Sequence, residues 1–160
     1  MDALKVMLER RSIRKYRAVP IPDEVLEEIV QAGLYAPSGL NLQPWYFVVV
    51  RTPEKMLQVR AIMSVVALRF NPVLQKQFRE HPEVIAETNQ FLVTLGGAPA
   101  CILVYANRRD DGDRDNVIES VSAAIQNLQL AAWNRGIGSC WIGAPNHVGC
   151  NGLFEAAFAS

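Results

Sequence analysis

The sequence predicts a single domain over residues 1–160 that mixes α-helices and β-strands. Three observations carry this. Apolar residues recur every three or four positions over several long stretches, as on the buried side of a helix. Short runs rich in valine, isoleucine and aromatic residues, at 46–50 and 100–105, are too brief for helices and suit interior strands. At 160 residues, 50% of them hydrophobic, the chain can build one core and would bury roughly 70% of its unfolded surface.

From Asp2, a side chain suited to cap a helix, Leu4, Met7 and Leu8 fall at helical spacing, so a first helix should bury a Leu-Met face and end near Arg10. Ile21-Pro22-Asp23-Glu24 reads as a second helix start, with Val25, Leu26, Ile29, Ala32 and Gly33 on its buried side and a stop at Pro37. The strand at 46–50 follows, and Pro53-Glu54 opens another helical pattern through Met56, Leu57, Val59, Ile62, Met63 and Val66. Residues 67–98 mix charges, Pro72, Pro82 and aromatic residues, consistent with short helices packed over something, a lid or plain core. Gly96-Gly97 precedes a strand at 100–105, the wrong order for a phosphate-cradling loop, which should follow a strand and open a helix. Residues 107–115 read as a charged surface loop. Asn116 and Glu119 form a capping-box pattern that launches the longest helix, which closes at Gly136. Ile118, Val121, Ile125, Leu128 and Ala132 make one apolar stripe, while Ser120, Ala123 and Asn127 keep part of the surface small enough for a second helix, from this chain or another, to approach. A last strand is expected at 139–143.

Sixteen Lys and Arg balance sixteen Asp and Glu, which argues against a general polyanion binder, so no nucleic-acid partner is expected. No uninterrupted apolar run reaches the ~18 residues of a membrane span, and the N-terminus lacks the apolar core of a secretion signal, so the expectation is a cytoplasmic protein with no membrane partner. Cys101, Cys140 and Cys150 are widely spaced and odd in number, as reduced thiols are. Cys140, His147 and Cys150 match no standard zinc spacing and lack a fourth ligand, so no metal site is expected.

Two stretches could bind a ligand. If 10–14 is extended, Arg10, Ser12 and Arg14 line one face, and two guanidinium forks around a hydroxyl suit a phosphate, because charge-assisted hydrogen bonds are short and strong. The same run would also serve as a solvated basic helix end. In Ala36-Pro37-Ser38-Gly39-Leu40-Asn41-Leu42-Gln43-Pro44-Trp45, proline at both ends disfavours helix. An extended backbone there would point the Asn41 and Gln43 amides the same way, toward a flat, polar-edged ligand. A simple helix-to-strand connection whose amides satisfy nearby backbone fits the same composition.

Together, Arg-Arg-Ser-Ile-Arg at 10–14, Pro-Ser-Gly-Leu-Asn-Leu-Gln-Pro-Trp at 37–45 and Gly-Ile-Gly-Ser-Cys-Trp-Ile-Gly at 136–143 resemble the nitroreductase family of flavoproteins, in order and separation, along about the first 145 residues. The resemblance implies an α+β fold with helices around a central mixed, mostly antiparallel sheet, and a homodimer with FMN at the subunit interface. It puts Arg10 and Ser12 near the FMN phosphate and Arg14 toward the pyrimidine edge of the ring, with Arg11 a weaker contact. Pro37, Ser38, Gly39, Asn41 and, less surely, Gln43 would reach FMN from the partner subunit, and Gly143 and Ala144 correspond to the segment beside the reactive nitrogen. No catalytic side chain is expected, since the flavin carries the chemistry.

The implied activity passes hydride from NADH or NADPH through FMN to a small acceptor such as a nitroaromatic or quinone, in alternating steps at one pocket. A non-catalytic flavin-binding protein, or a degenerate structural dimer of the same fold, is the alternative. Family members continue past the last matching strand and bring Lys or Arg to the phosphate. Here 17 residues follow Gly143 and none after Arg135 is Lys or Arg, so a shortened C-terminal part with weakened FMN affinity is expected.

Overall fold

The structure, a computed structural model, describes residues 2–107 and 114–159. In chain order it holds α1 (Ala3–Glu9), α2 (Asp23–Leu34), β1 (Trp45–Val50), α3 (Pro53–Gln77), α4 (Pro82–Thr94), β2 (Cys101–Ala106), α5 (Arg114–Asn134), α6 (Ala144–His147) and α7 (Asn151–Phe158), with short 3-10 turns at Gly39–Asn41 and Leu95–Gly97. This is the expected α+β class. The chain divides into two compact units, one drawn from Met1–Ile13, Pro20–Val49 and Ile102–Trp141, the other from Arg14–Val19, Val50–Cys101 and Ile142–Ser160. Most of the loop expected at 107–115 lies outside the described residues.

In the first unit α2 runs antiparallel to α5. The Asn127 amide donates to the Ala32 carbonyl at 3.1 Å, and farther along the pair Arg135 meets Glu28 in an ion pair. Gly33 makes this approach possible, since a Cβ there would stand 2.9 Å from Leu128 Cδ2 and 3.2 Å from Phe47 Cζ. Around that contact Ile29, Leu128 and Ala132 are buried, with Phe47, Ile102 and Val104 packed against them. The small surface read from Asn127 is thus covered by a helix of this chain. β1 and β2 pair as a two-stranded sheet. The Asn107 N–H bonds the Pro44 carbonyl, and Tyr46 faces Tyr105 at 6.2 Å, so the start of β1 lies beside the end of β2 and the pair is antiparallel.

Three expectations need correcting in this unit. Asp2 does cap α1, accepting from the Leu4 N–H at 3.3 Å, but the Leu-Met face is not buried. Leu4, Met7 and Leu8 are 61%, 57% and 66% exposed, and Val6 is the buried residue of α1, because α1 packs on α5 along one narrow edge. No strand forms at 139–143. A single parallel bridge joins Ser12 to Ser139, and Pro145 then opens α6. Asn116 does not stand at the start of α5, which already runs from Arg114, and its side-chain amide lies against Gly39.

In the second unit Thr52 caps α3, accepting from the Lys55 N–H at 3.4 Å, with Pro53 in the first turn. The expectation of short helices over 67–98 is corrected to the end of one 25-residue helix, α3, and the 13-residue α4. Pro72 does not break α3: it withdraws the hydrogen bond to the Leu68 carbonyl, but Leu68 is 77% exposed, so water can take that carbonyl. By length and composition α3 also passes as a membrane span, with a window of mean hydropathy 1.3. Arg60 and Arg69 hid this, because they interrupt the apolar run. Met56, Val59, Met63, Val66, Ala67 and Leu74 are buried, and α3 packs on α4, α6 and α7.

Replacing Leu128 by Ala removes the side chain that Gly33 receives, and is expected to lower stability by about 2–5 kcal/mol in a denaturant titration. Cys101, Cys140 and Cys150 form no disulfide among the described residues. Burial pushes the Cys101 thiol from 9.0 up to about 11. Near neutral pH this thiol should resist alkylation in the native protein and react once denatured. Between about 9 and about 11 the unfolded chain releases a proton that the native one keeps, so stability should fall as pH rises through that window.

Candidate functional site

The first predicted stretch begins where the sequence placed it, at the end of α1, whereas the second takes a shape that the sequence reading did not foresee. α1 ends at Arg10, whose backbone N–H bonds the Val6 carbonyl. Arg11 turns back: its guanidinium donates to the carbonyls of Leu8 at 2.8 Å and Arg10 at 2.9 Å, closing the helix end. Arg10 has no side-chain hydrogen bond or ion pair to another described residue, and Ser12 is exposed beside Ser139. The Ile13 N–H bonds the Ser139 carbonyl at 3.0 Å, and Gly138 lets that segment come close, since a Cβ there would stand 2.8 Å from Ile13 Cγ1.

The 37–44 loop is not extended, which corrects the alternation argument. Gly39–Asn41 forms a 3-10 turn, and Leu40, Asn41 and Gln43 all have left-handed backbone, with φ of 52°, 54° and 46°. Proline at 37 and 44 restricts the residues before them, Ala36 and Gln43, but not residues 39–42, which is why the turn was not legible, and Gln43 takes its left-handed φ against that preference. The amides do come together, for another reason: Gln43 Nε2 donates to Asn41 Oδ1 at 3.2 Å across the turn. The Gln43 N–H bonds Ser38 Oγ at 3.0 Å, and the Asn41 and Leu42 N–H groups bond the Ser38 and Gly39 carbonyls. Bulky residues held left-handed cost of order 1–3 kcal/mol each, and such strain concentrates at ligand sites. Asn41 and Gln43 are exposed, with polar edges turned to solvent.

Sequence reasoning missed the residues that hold this loop. Ser120, buried on α5, accepts from the Gly39 N–H at 3.2 Å and donates to the Asn116 carbonyl at 2.7 Å, while a Cβ at position 39 would fall on the Asn116 side-chain amide. The available signal was a serine set among the apolar residues of a buried helix, read only as a small side chain.

In the second unit Arg14 is exposed, its guanidinium 6.0 Å from the Phe91 ring centroid. The Tyr16 N–H bonds the Gly96 carbonyl at 2.9 Å. Gly96, left-handed at φ 61°, lies so close to the Arg14 backbone that a Cβ would strike the Arg14 carbonyl. The Gly96-Gly97 pair, dismissed as a phosphate loop, is therefore a seat for the arginine segment. Gly143 and Ala144 stand at the start of α6, where backbone N–H groups lack helical partners. A Cβ at Gly143 would meet nothing within 4 Å, so there is room in front of that backbone. Among the described residues no cluster of His, Cys, Asp and Glu could hold a metal ion.

A model of the nitroreductase family matches residues 7–158, across both units. The chain belongs to the nitroreductase family. It is 34% identical over 143 residues to a protein of Archaeoglobus fulgidus provisionally named NADH dehydrogenase/NAD(P)H nitroreductase, covering 89% of this chain and 67% of that one. It is 57% identical over 60 residues to an NADH dehydrogenase of Thermus thermophilus, over 38% of this chain and 29% of that one. A solved nitroreductase with bound FMN from Desulfitobacterium hafniense superposes with a TM-score of 0.73 at 26% identity, covering 98% of this chain and 78% of that one. The chain spans 61–67% of the length of the curated relatives that it matches along most of its own.

Within the first unit the donor set fits FMN: guanidinium and hydroxyl groups for a phosphate and side-chain amides for a ring with alternating donors and acceptors. Gly96→Ala combines a left-handed backbone with a clash on Arg14, and is expected to lower the thermal midpoint by several degrees, seen by scanning calorimetry.

Proposed function

We propose that the chain is an FMN-dependent NAD(P)H oxidoreductase that acts on small acceptors such as nitroaromatics or quinones, and that it works as a homodimer with FMN held between subunits. The observation that carries this reading is the strained, amide-bearing turn at 38–43, braced on α5 and open to solvent. The exposed apolar residues of the first unit, Leu4, Met7 and Leu8 of α1 with Tyr35 at 78% and Leu40 at 90% exposure, support a second copy covering part of that unit.

FMN, when bound, would supply the hydride transfer, so the protein's tasks are holding, orienting and tuning. Arg10 and Ser12 would hold the phosphate, as a guanidinium with no side-chain partner among the described residues beside an exposed hydroxyl. Arg11 already gives one nitrogen to the end of α1 and would contribute mainly charge. Arg14, seated by Gly96 and Phe91, would set a fixed cation against the pyrimidine edge, where negative charge develops. The Ser38, Asn41 and Gln43 polar groups, with the Pro37 and Gly39 backbone, would orient the ring from the partner subunit. The open backbone at Gly143, next to the buried Ala144 at the start of α6, would leave its reactive edge accessible.

The test is the visible spectrum after reconstitution with FMN, recorded before and after anaerobic NADH and then NADPH. A yellow protein bleached by one nucleotide and restored by a quinone or nitroaromatic is expected. Arg10→Ala with Arg14→Ala removes two charge-assisted contacts of about 1.5–3 kcal/mol each, and should weaken FMN binding by about two to four orders of magnitude. A protein that stays colourless after FMN addition, or that sediments as a single copy, overturns the proposal.

A further inference from the structure

The hydroxyl of Ser120 serves two purposes. It makes the ordinary back-bond of a serine within a helix, to the Asn116 carbonyl four residues earlier, and it accepts the Gly39 N–H from a segment 81 residues away. The hydroxyl proton is committed to α5, so a lone pair is what faces the loop. Ser120 is 4% exposed, which leaves little water to replace it. Asn116 closes the other side, its side-chain amide filling the space that a Cβ at position 39 would need. Gly39 is therefore gripped twice, through its N–H and through its missing side chain.

From this neck the strained turn projects, its internal bonds all returning to Ser38, Gly39 and Asn41. A turn with three left-handed residues other than glycine relaxes unless its surroundings hold it. We infer that Ser120 and Asn116 are positioning residues: by clamping Gly39 to α5 they set where the Asn41 and Gln43 amides stand, and hence how tightly FMN is held. This rests on the flavin reading of the loop, and neither residue is placed in contact with FMN.

Hydrogen exchange of the flavin-free protein and FMN affinity by fluorescence titration together test it. Ser120→Ala should speed exchange at 38–43 by about tenfold and raise the FMN dissociation constant by a similar factor, with exchange in α2 and the thermal midpoint little changed. Gly39→Ala should do the same by displacing the Asn116 amide. Because Gly39 is not left-handed, Gly39→Ala combined with Asn116→Ala should regain much of the lost protection and affinity.

Wild-type protein that binds FMN while Ser120→Ala alters neither exchange nor affinity overturns the positioning role alone. So does failure of Asn116→Ala to rescue Gly39→Ala, an arm that decides the matter even if Ser120→Ala does not fold. Wild-type protein that binds no FMN overturns the flavin reading instead, and the exchange measurement then reports the clamp by itself.

Discussion

The close approach of α2 to α5 at Gly33 is the constraint on which the first unit depends. Without a side chain at 33, Leu128 can enter the gap between the helices and meet Phe47 of β1, so one contact ties two helices and the sheet together. The same approach directs the chain beyond α2. Because α2 runs antiparallel to α5, the segment leaving Leu34 travels toward the beginning of α5 and reaches Ser120, about 12 Å along the axis from Leu128. The half-exposed ion pair between Arg135 and Glu28 contributes little to this, since exposed pairs are weak. Apolar packing sets the geometry, and the polar grip on Gly39 inherits it.

The second unit repeats the device with other residues. Gly96 lets one backbone lie against another, and the result is a defined seat for Arg14, with the Phe91 ring near its guanidinium. In both units the polar groups that could meet a ligand sit on irregular backbone while helices fix the point where that backbone is anchored. Such an arrangement allows exposed side chains to be well placed without being buried.

The helices and strands were legible where one short-range rule was enough. Pro22 with Asp23 and Glu24 marked α2, the β-branched runs marked β1 and β2, and the stripe through Val121, Leu128 and Ala132 marked α5. What failed depended on partners that the sequence does not display. Helical spacing gave α1 an apolar face but could not say that only Val6 would be buried. Asn116 has the residue type of a cap, yet the helix starts two residues earlier and its amide packs on Gly39. Pro72 was tolerated because the carbonyl that it strands lies at the surface, a fact of burial and not of order along the chain. The candidate residues were found through resemblance and residue type, whereas the left-handed turn and the Ser120 grip became visible only in three dimensions.

The left-handed trio at Leu40, Asn41 and Gln43 bears on how this protein could be altered. Were thermal robustness the sole requirement, glycine would suit all three places, because it adopts such a backbone without a steric conflict. The chain carries a branched side chain and two amides there instead, so on the proposed flavin role of this turn heat tolerance and ligand grip would pull in opposite directions over a few adjacent residues. An engineer seeking a hardier variant has reason to work on the helix faces and to leave this turn alone.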